Sequence, residues 1–131
     1  MLDNSALYLL FVSPSGDVLV VDKGFGHRLP GGLINSDQTP ESIIRKYCHL
    51  DRNISDYEHI ITLEMRIGRR RVCRAMIYRL FLNADDVRFF KKVEWLNTSI
   101  VEKFLHDETL QLPKMHPVLR HALKAHLGAG P

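Results

Sequence analysis

The sequence predicts a domain of the α/β (α+β) class, because stretches with the period of β-strands alternate with stretches with the period of α-helices. A turn tetrad separates two β-rich stretches, His59–Ile67 alternates between apolar and polar side chains, and helix-starting residues precede three helical stretches. The 131 residues, 45% hydrophobic and 25% charged, suit a globular fold with one core. We therefore expect residues 1–131 to form a single domain.

The first part of the chain predicts a hairpin followed by a loop. Leu7–Ser13 and Val18–Asp22 are rich in β-forming residues, and Pro14–Asp17 between them has proline early and glycine late, as a tight turn requires. Glycines then interrupt the pattern and predict a loop. They are Gly24, Gly26, Gly31 and Gly32.

The first helix is predicted to begin at Thr39. Threonine is a good N-cap, and Pro40 fits the first helical position, where its missing N–H has no partner in any case. An apolar face follows at helical spacing. It consists of Ile43, Ile44, Tyr47 and Cys48.

The second half predicts strands and then helices. His59–Ile67 has the strand period, and Val72–Leu82 is apolar on both faces, as expected deep inside a sheet. Gly68-Arg69 fits a tight turn between them. The remaining predicted elements are a short strand at Lys92–Trp95, a helix from Thr98 to about Leu105 and a helix that starts at Pro117.

The composition limits which compartment and which partners are expected for the chain. No apolar run reaches the roughly 18–20 residues that a membrane-spanning helix needs, so no membrane association is expected. Cys48 and Cys73 are too few for a disulfide framework, which favours inert buried thiols in a reducing, cytoplasmic compartment. The net charge of +3 is too small to indicate a nucleic-acid partner by itself.

The stretch Leu29–Ile54 resembles the Nudix box, which runs Gly, five residues, Glu, seven residues, Arg-Glu-hydrophobic, one residue, Glu-Glu, one residue, Gly-hydrophobic. Gly32 matches the first glycine, and the spacing continues without a gap to the hydrophobic Ile54. The positions between them carry Gln38 for the first Glu, Lys46 for Arg, Tyr47 for the next Glu, Leu50 and Asp51 for the Glu pair, and Asn53 for Gly.

The order of elements is also similar to the Nudix fold, a mixed β-sheet sandwiched between α-helices, over nearly the whole chain. The chain thus resembles the Nudix (MutT-like) hydrolase superfamily, with a degenerate box. The resemblance implies a site in which the box holds magnesium or manganese against the diphosphate of a nucleoside diphosphate linked to another group, for attack by water.

The substitutions remove most of the carboxylates that such chemistry needs. A hard divalent cation prefers oxygen ligands, and several carboxylates must gather around it. Positions 47, 50 and 51 share one helical face, where only Asp51 is acidic. We therefore expect hydrolysis to be absent or very slow, and the catalytic residues remain unassigned. Asp51, Glu64 and Glu94 are the candidates, with Asp51 the candidate metal ligand. For Glu94, capping or pairing at a strand end is the alternative role.

The same substitutions favour direct binding of a diphosphate by cationic side chains, without a metal. The predicted ligand-binding residues are Arg28, Gly31, Gly32, Lys46, Tyr47 and Arg52. A solvated helix face is the alternative for Lys46 and Arg52, and a place in the core is the alternative for Tyr47. Such binding requires no cofactor.

Three functions fit these observations. The first is a non-hydrolytic domain that binds a nucleotide, a nucleic acid or a protein. The second is a divergent metal-dependent hydrolase that uses Asp51 with Glu64 or Glu94 and requires magnesium or manganese. The third is a purely structural interaction module whose former cleft is filled by Tyr47 and Leu50.

An arginine-rich stretch is the other notable feature. Arg66–Arg79 holds six arginines, of which Arg69, Arg70 and Arg71 lie at or beside the predicted turn. Such a cluster can bind nucleic-acid phosphates or an acidic protein, although an ordinary charged surface is the alternative. No aromatic residue lies at the turn, which disfavours stacking on single strands.

Overall fold

The computed structural model of the chain describes residues 4–22, 26–34, 39, 41–42, 45, 57–67, 71–88, 90, 93–99, 102 and 117–128. The strands and helices within them are β1 (Asn4–Val12), β2 (Val18–Asp22), β3 (His27–Arg28), β4 (Gly31–Ile34), β5 (Glu58–Ile67), β6 (Arg71–Phe81), α1 (Ala84–Val87), β7 (Glu94–Leu96) and α2 (Pro117–Gly128). Neither of these helices has the length and apolar character needed to cross a membrane.

The strands form one mixed sheet. Its order is β3-β2-β1-β6-β5, with β4 also paired to β1 and β7 also paired to β2. β1 and β6 run parallel, from Asn4 opposite Cys73 to Val12 opposite Phe81, whereas the other pairs are antiparallel. The predicted mixed sheet of an α/β fold is confirmed.

β1 lies in the centre of the sheet and is buried on both faces. Leu7, Leu9 and Phe11 point to one face, here called face A, and Leu10 and Val12 point to the other, face B. A strand with a parallel neighbour and cover on both faces is expected to be apolar throughout. The apolar run Ala6–Val12 within β1 therefore follows from its position.

Helix α2 covers face B. Its inward residues recur at helical spacing and pack against Leu10 of β1 and Ile77 of β6. They are Val118, Leu119, Ala122 and Leu123, none more than 1% exposed. Each buried valine or leucine contributes roughly 1.5–3 kcal/mol, so this face fixes α2 on the sheet. The helix predicted from Pro117 is confirmed.

Aromatic side chains pack on face A near the end of β6. Phe90 lies against Phe11 and Trp95, with ring centroids 5.3 Å and 6.0 Å apart. The preceding helix α1 starts with a capping box, in which Asn83 and Asp86 each accept a hydrogen bond from the other's backbone N–H. No sequence pattern predicts α1, because four residues are too few to show a helical period.

The predicted hairpin is confirmed. The Ser13 amide donates to the Asp17 carbonyl at 2.8 Å, and the Gly16 amide donates to the Ser13 carbonyl at 2.9 Å. Gly16 has φ +90°, a conformation that glycine adopts without a steric cost. The turn chemistry of the sequence was therefore sufficient to place it.

The other predicted elements differ in detail. β5 and β6 match their predicted strands within one residue at each end. The short strand predicted at Lys92–Trp95 corresponds to β7, which begins at Glu94. The stretch predicted as a glycine loop contains β3 and β4, which are too short to show a strand period.

Cys73 is fully buried, and burial raises the pKa of its thiol, as expected for an inert cysteine. The predicted turn at Gly68-Arg69 lies outside the described residues.

Candidate functional site

The segment His27–Ile34, here called the glycine segment, carries the first part of the region that resembles the box. The Pro30 carbonyl accepts from the Leu9 amide at 3.0 Å, and β4 then pairs with β1 so that Gly31 lies opposite Tyr8 and Gly32 opposite Leu7. The central strand therefore fixes the position of both glycines.

Gly31 is required by the close approach of two strands. Its φ is +132°, and a Cβ placed on it would lie 2.1 Å from the Leu7 carbonyl oxygen and 2.8 Å from the Tyr8 Cα. Both contacts are with backbone, which cannot rotate away. Only glycine fits this position, for a reason that involves neither a ligand nor catalysis.

Gly32 differs from its neighbour. Its φ is +154°, but a Cβ placed on it would meet no atom within 4 Å. Backbone conformation thus favours glycine here, while the space beside it is open. A glycine of this kind lets another group approach the main chain closely.

Thr39 starts the following helix, as predicted. The Ser42 amide donates to Thr39 Oγ1 at 3.3 Å, and the Thr39 amide donates back to Ser42 Oγ at 3.1 Å. This reciprocal pair is a capping box in which serine replaces the usual Glu or Gln. Glu41, Ser42 and Arg45 are helical. The predicted site residues Lys46, Tyr47, Asp51 and Arg52 lie outside the described residues.

His27, the first residue of the glycine segment, forms a side-chain hydrogen bond with Glu94. His27 Nε2 lies 2.8 Å from Glu94 Oε2, and the two side chains are 22% and 60% exposed. Their register explains the contact, since His27 lies opposite Asp22 and Glu94 opposite Val20, two residues apart on β2 and on the same face. Glu94 thus pairs at a strand end.

One nitrogen of His27 remains unsatisfied. Nδ1 is buried and has no hydrogen-bond partner among the described residues. When Nε2–H donates to Glu94, Nδ1 of the neutral ring is an acceptor. A buried polar atom without a partner costs about 1–3 kcal/mol, so a donor that reached Nδ1 would be bound favourably.

Arg28 provides an available cation. It lies opposite Val21, which packs in the face A cluster, so the register places Arg28 on face A. Its half-buried side chain forms no ion pair within the described part of the chain. Gly32, opposite Leu7, lies on the same face.

The two outlying acidic candidates are far apart. Glu64 is on β5, one edge of the sheet, and Glu94 is on β7, which pairs with β2. At least three strand spacings separate them, about 14 Å, so they cannot share one metal ion. The described residues contain no group of three or more His, Cys, Asp or Glu side chains arranged to hold a metal.

No sequence pattern predicts the contact between His27 and Glu94. The two residues are far apart in the sequence, and no local period links them. The only signal was the expectation that a strand-end carboxylate such as Glu94 finds a partner. Its identity required the β2–β3 and β2–β7 registers.

Comparison with known proteins gives matches only at the level of structure. No protein-family model and no curated protein matches the sequence. The MutT protein of Methanosarcina mazei Go1 has a TM-score of 0.64 at 14% identity, covering 97% of this chain and 95% of that protein. A structure of the complex between the C-terminal domain of mouse MUTYH and human PCNA has a TM-score of 0.67 at 11% identity, covering 97% of this chain and 89% of the matched chain.

A third structure, the NUDIX domain of Shewanella oneidensis NrtR complexed with ADP ribose, has a TM-score of 0.57 at 15% identity, covering 94% of this chain and 87% of that one. Identities of 11–15% establish shared architecture rather than shared activity. The mixed sheet, the glycine segment and the capped helix start agree with this likeness along nearly the whole chain. The chain therefore has the Nudix fold.

Proposed function

We propose that the chain is a Nudix-fold binding domain with a degenerate catalytic box, which holds a diphosphate-containing ligand without hydrolysing it. One contrast carries the proposal. The parts of the box region that shape the backbone are present, namely Gly31, Gly32 and the Thr39 cap, while the acidic side chains are replaced at three of four positions, by Gln38, Tyr47 and Leu50.

The donor set does not fit a multi-metal centre. Asp51 is the only carboxylate at the box positions, and one carboxylate does not offset the dehydration of two divalent ions. Loss of metal-centred stabilisation of the transition state costs several kcal/mol, which lowers the rate about a thousandfold or more.

Cationic and open backbone groups support binding. The Arg28 guanidinium can form two parallel hydrogen bonds with a phosphate, and Gly32 on the same face leaves space for the approach of a ligand. ADP-ribose contains a diphosphate and is present in the S. oneidensis complex, so it is the first compound to test.

The competing hydrolase would need an acidic partner for Asp51. Glu94 is engaged by His27, and Glu64 lies at the far edge of the sheet. Neither arrangement favours a second metal ligand. The interaction-module alternative has a parallel in the matched MUTYH–PCNA complex, where a partner is a protein.

A thermal-shift titration tests the proposal. We expect ADP-ribose to stabilise the protein in EDTA, by about 2.7 kcal/mol at one hundred times its Kd. Arg28→Gln removes a charge-assisted contact and should weaken binding about tenfold or more. Arg88→Gln, which changes an exposed arginine paired only loosely with Asp85 at 4.0 Å, is the matched control.

Two results would contradict the proposal. Stabilisation that requires magnesium, is lost in Asp51→Asn and accompanies release of a phosphate product would identify a hydrolase. The absence of any shift with ADP-ribose, dinucleoside polyphosphates and nucleotide sugars would favour the interaction module.

A further inference from the structure

Three arginines of Arg66–Arg79 have described side chains, namely Arg66, Arg74 and Arg79, and they differ in the contacts that they make. Arg79 is committed to contacts inside the fold: its Nε donates to Glu58 Oε1 at 2.9 Å, and Nη1 donates to Nδ1 of His126 on α2, also at 2.9 Å. Its guanidinium carbon also lies 5.0 Å from the centroid of the Phe81 ring. Arg79 is therefore not available to an external partner.

Arg66 and Arg74 lie on the opposite face. Residues alternate along β6, so Cys73, Ala75 and Ile77 are buried on face B while Val72 and Arg74 point to face A. The register places Arg66 of β5 opposite Val72. Both arginines are exposed and form no ion pair with a described residue.

The surrounding sequence reinforces this charge. From Met65 to Ala84 the chain has no aspartate or glutamate. Among the described residues, the nearest acid on the same face is Glu64, which lies opposite Arg74 but beyond ion-pair distance of it. Exposed Thr62 extends the face, and Val72 is 42% exposed between the arginines.

We infer that this arginine face, formed by Thr62, Arg66, Val72 and Arg74, binds the phosphate backbone of duplex nucleic acid. Arg66 and Arg74 are diagonal cross-strand neighbours, about 7–8 Å apart. Successive phosphates of one strand rise ~3.4 Å along the axis and also rotate around it, so neighbouring phosphates are farther apart than the rise and have a spacing comparable with that of the two arginines. The two guanidinium groups can thus reach two phosphates of one strand.

Side-chain chemistry favours a duplex over other partners. A single strand is normally bound by aromatic side chains that stack on its bases. Among the described residues of this face no Phe, Tyr or Trp is exposed, and the exposed ring of His59 is already engaged by Thr62 and by the edge of Tyr78. A protein interface is normally anchored by buried Trp, Tyr or Arg in apolar pockets, whereas Val72 is the only exposed large apolar residue among the described residues of this face. A closely spaced phosphate array needs no such anchor.

Binding of a fluorescent 24-base-pair duplex of mixed sequence, measured by anisotropy from about 50 to 200 mM salt, tests the inference. We expect log Kd to rise linearly with log salt concentration. The double variant Arg66→Ala/Arg74→Ala should reduce that slope by about 1.8, since each phosphate contact contributes about 0.9. Arg120→Ala, an exposed arginine on α2 and hence on the side of face B, should leave the slope unchanged.

A third variant predicts a gain. Glu64→Gln removes a negative charge beside Arg74 and should tighten duplex binding, with unchanged thermal unfolding. This binding is independent of the diphosphate site, so Arg28→Gln should not alter it, and failure of either proposal can be recognised separately.

Three results would overturn the inference. The first is no duplex binding at 50 mM salt. The second is an equal slope in Arg66→Ala/Arg74→Ala and Arg120→Ala. The third is that polyglutamate binds as tightly as the duplex and loses as much affinity in Arg66→Ala/Arg74→Ala, which would identify a surface for acidic proteins.

Discussion

Replacing Gly31 and Gly32 by alanine, one at a time, distinguishes the role of Gly31 in strand packing from the open space beside Gly32. The two residues are adjacent, and the change adds one methyl group in each case. At Gly31 that group would lie 2.1 Å from the Leu7 carbonyl oxygen, whereas at Gly32 it would meet nothing within 4 Å. Any difference between the variants therefore measures the β1–β4 approach.

The expected magnitudes follow from these contacts. A non-glycine residue at the positive φ of either position costs about 1–3 kcal/mol. Gly31→Ala adds an overpacking cost of about 1–3 kcal/mol and weakens the Leu9–Pro30 hydrogen bond, worth about 0.5–1.5 kcal/mol. We expect Gly31→Ala to lower the free energy of unfolding by about 2–3 kcal/mol more than Gly32→Ala.

Urea unfolding followed by circular dichroism measures this difference, provided that m is the same for both variants. A gap of this size corresponds to about 10 °C in Tm for a domain of this length. Equal destabilisation of the two variants, within about 0.5 kcal/mol, would refute the argument that Gly31 is retained for strand packing.

Other parts of the fold give further predictions. Burial, and to a smaller extent the charge of Arg79, lower the pKa of His126 in the folded protein. As pH falls below about 6.5, His126 therefore becomes protonated in the unfolded chain before it does in the folded protein. The free energy of unfolding declines from that pH down to the lowered pKa of the folded state. His126→Gln should flatten that decline in urea unfolding at pH 7.5 and 5.5, and an unchanged pH dependence would assign it to other groups. Thr39→Ala should cost about 1 kcal/mol through loss of the cap, with Tm as the measurement, and no loss would mean that the cap is not formed in solution. Leu123→Ala on the buried side of α2 should cost about 2–5 kcal/mol, against under about 1 kcal/mol for exposed Val72→Ala, and similar costs would contradict the packing of α2.

Sequence patterns that act over a few residues were enough to predict the elements that contain such patterns. The turn at Pro14–Asp17, the alternation of β5 and the N-cap at Thr39 each act over a few residues, and the structure contains all three. The short strands β3 and β4 have no such signal, because their partners β2 and β1 decide their conformation.

Long-range contacts were not predictable in the same way. The sequence left capping or pairing at a strand end as one alternative for Glu94, but only the pairing of β2 with β3 and β7 brings His27 to it. The sequence also showed an arginine cluster without indicating which members are available. Alternation along β6 answers that question, since it turns Arg79 toward α2 and leaves Arg74 exposed.

The parallel pairing of β1 with β6 has a consequence for how the chain reaches its native state. Every partner in that ladder is 69 positions away in the sequence, as Asn4 and Cys73 illustrate. Closing such a long loop costs entropy before any of the ladder's hydrogen bonds repay it. During synthesis one edge of β1 therefore stays unpaired until residue 81 has left the ribosome, although β2 and β4 can pair with the other edge much earlier. We expect chaperone binding to be strongest on nascent chains shorter than this.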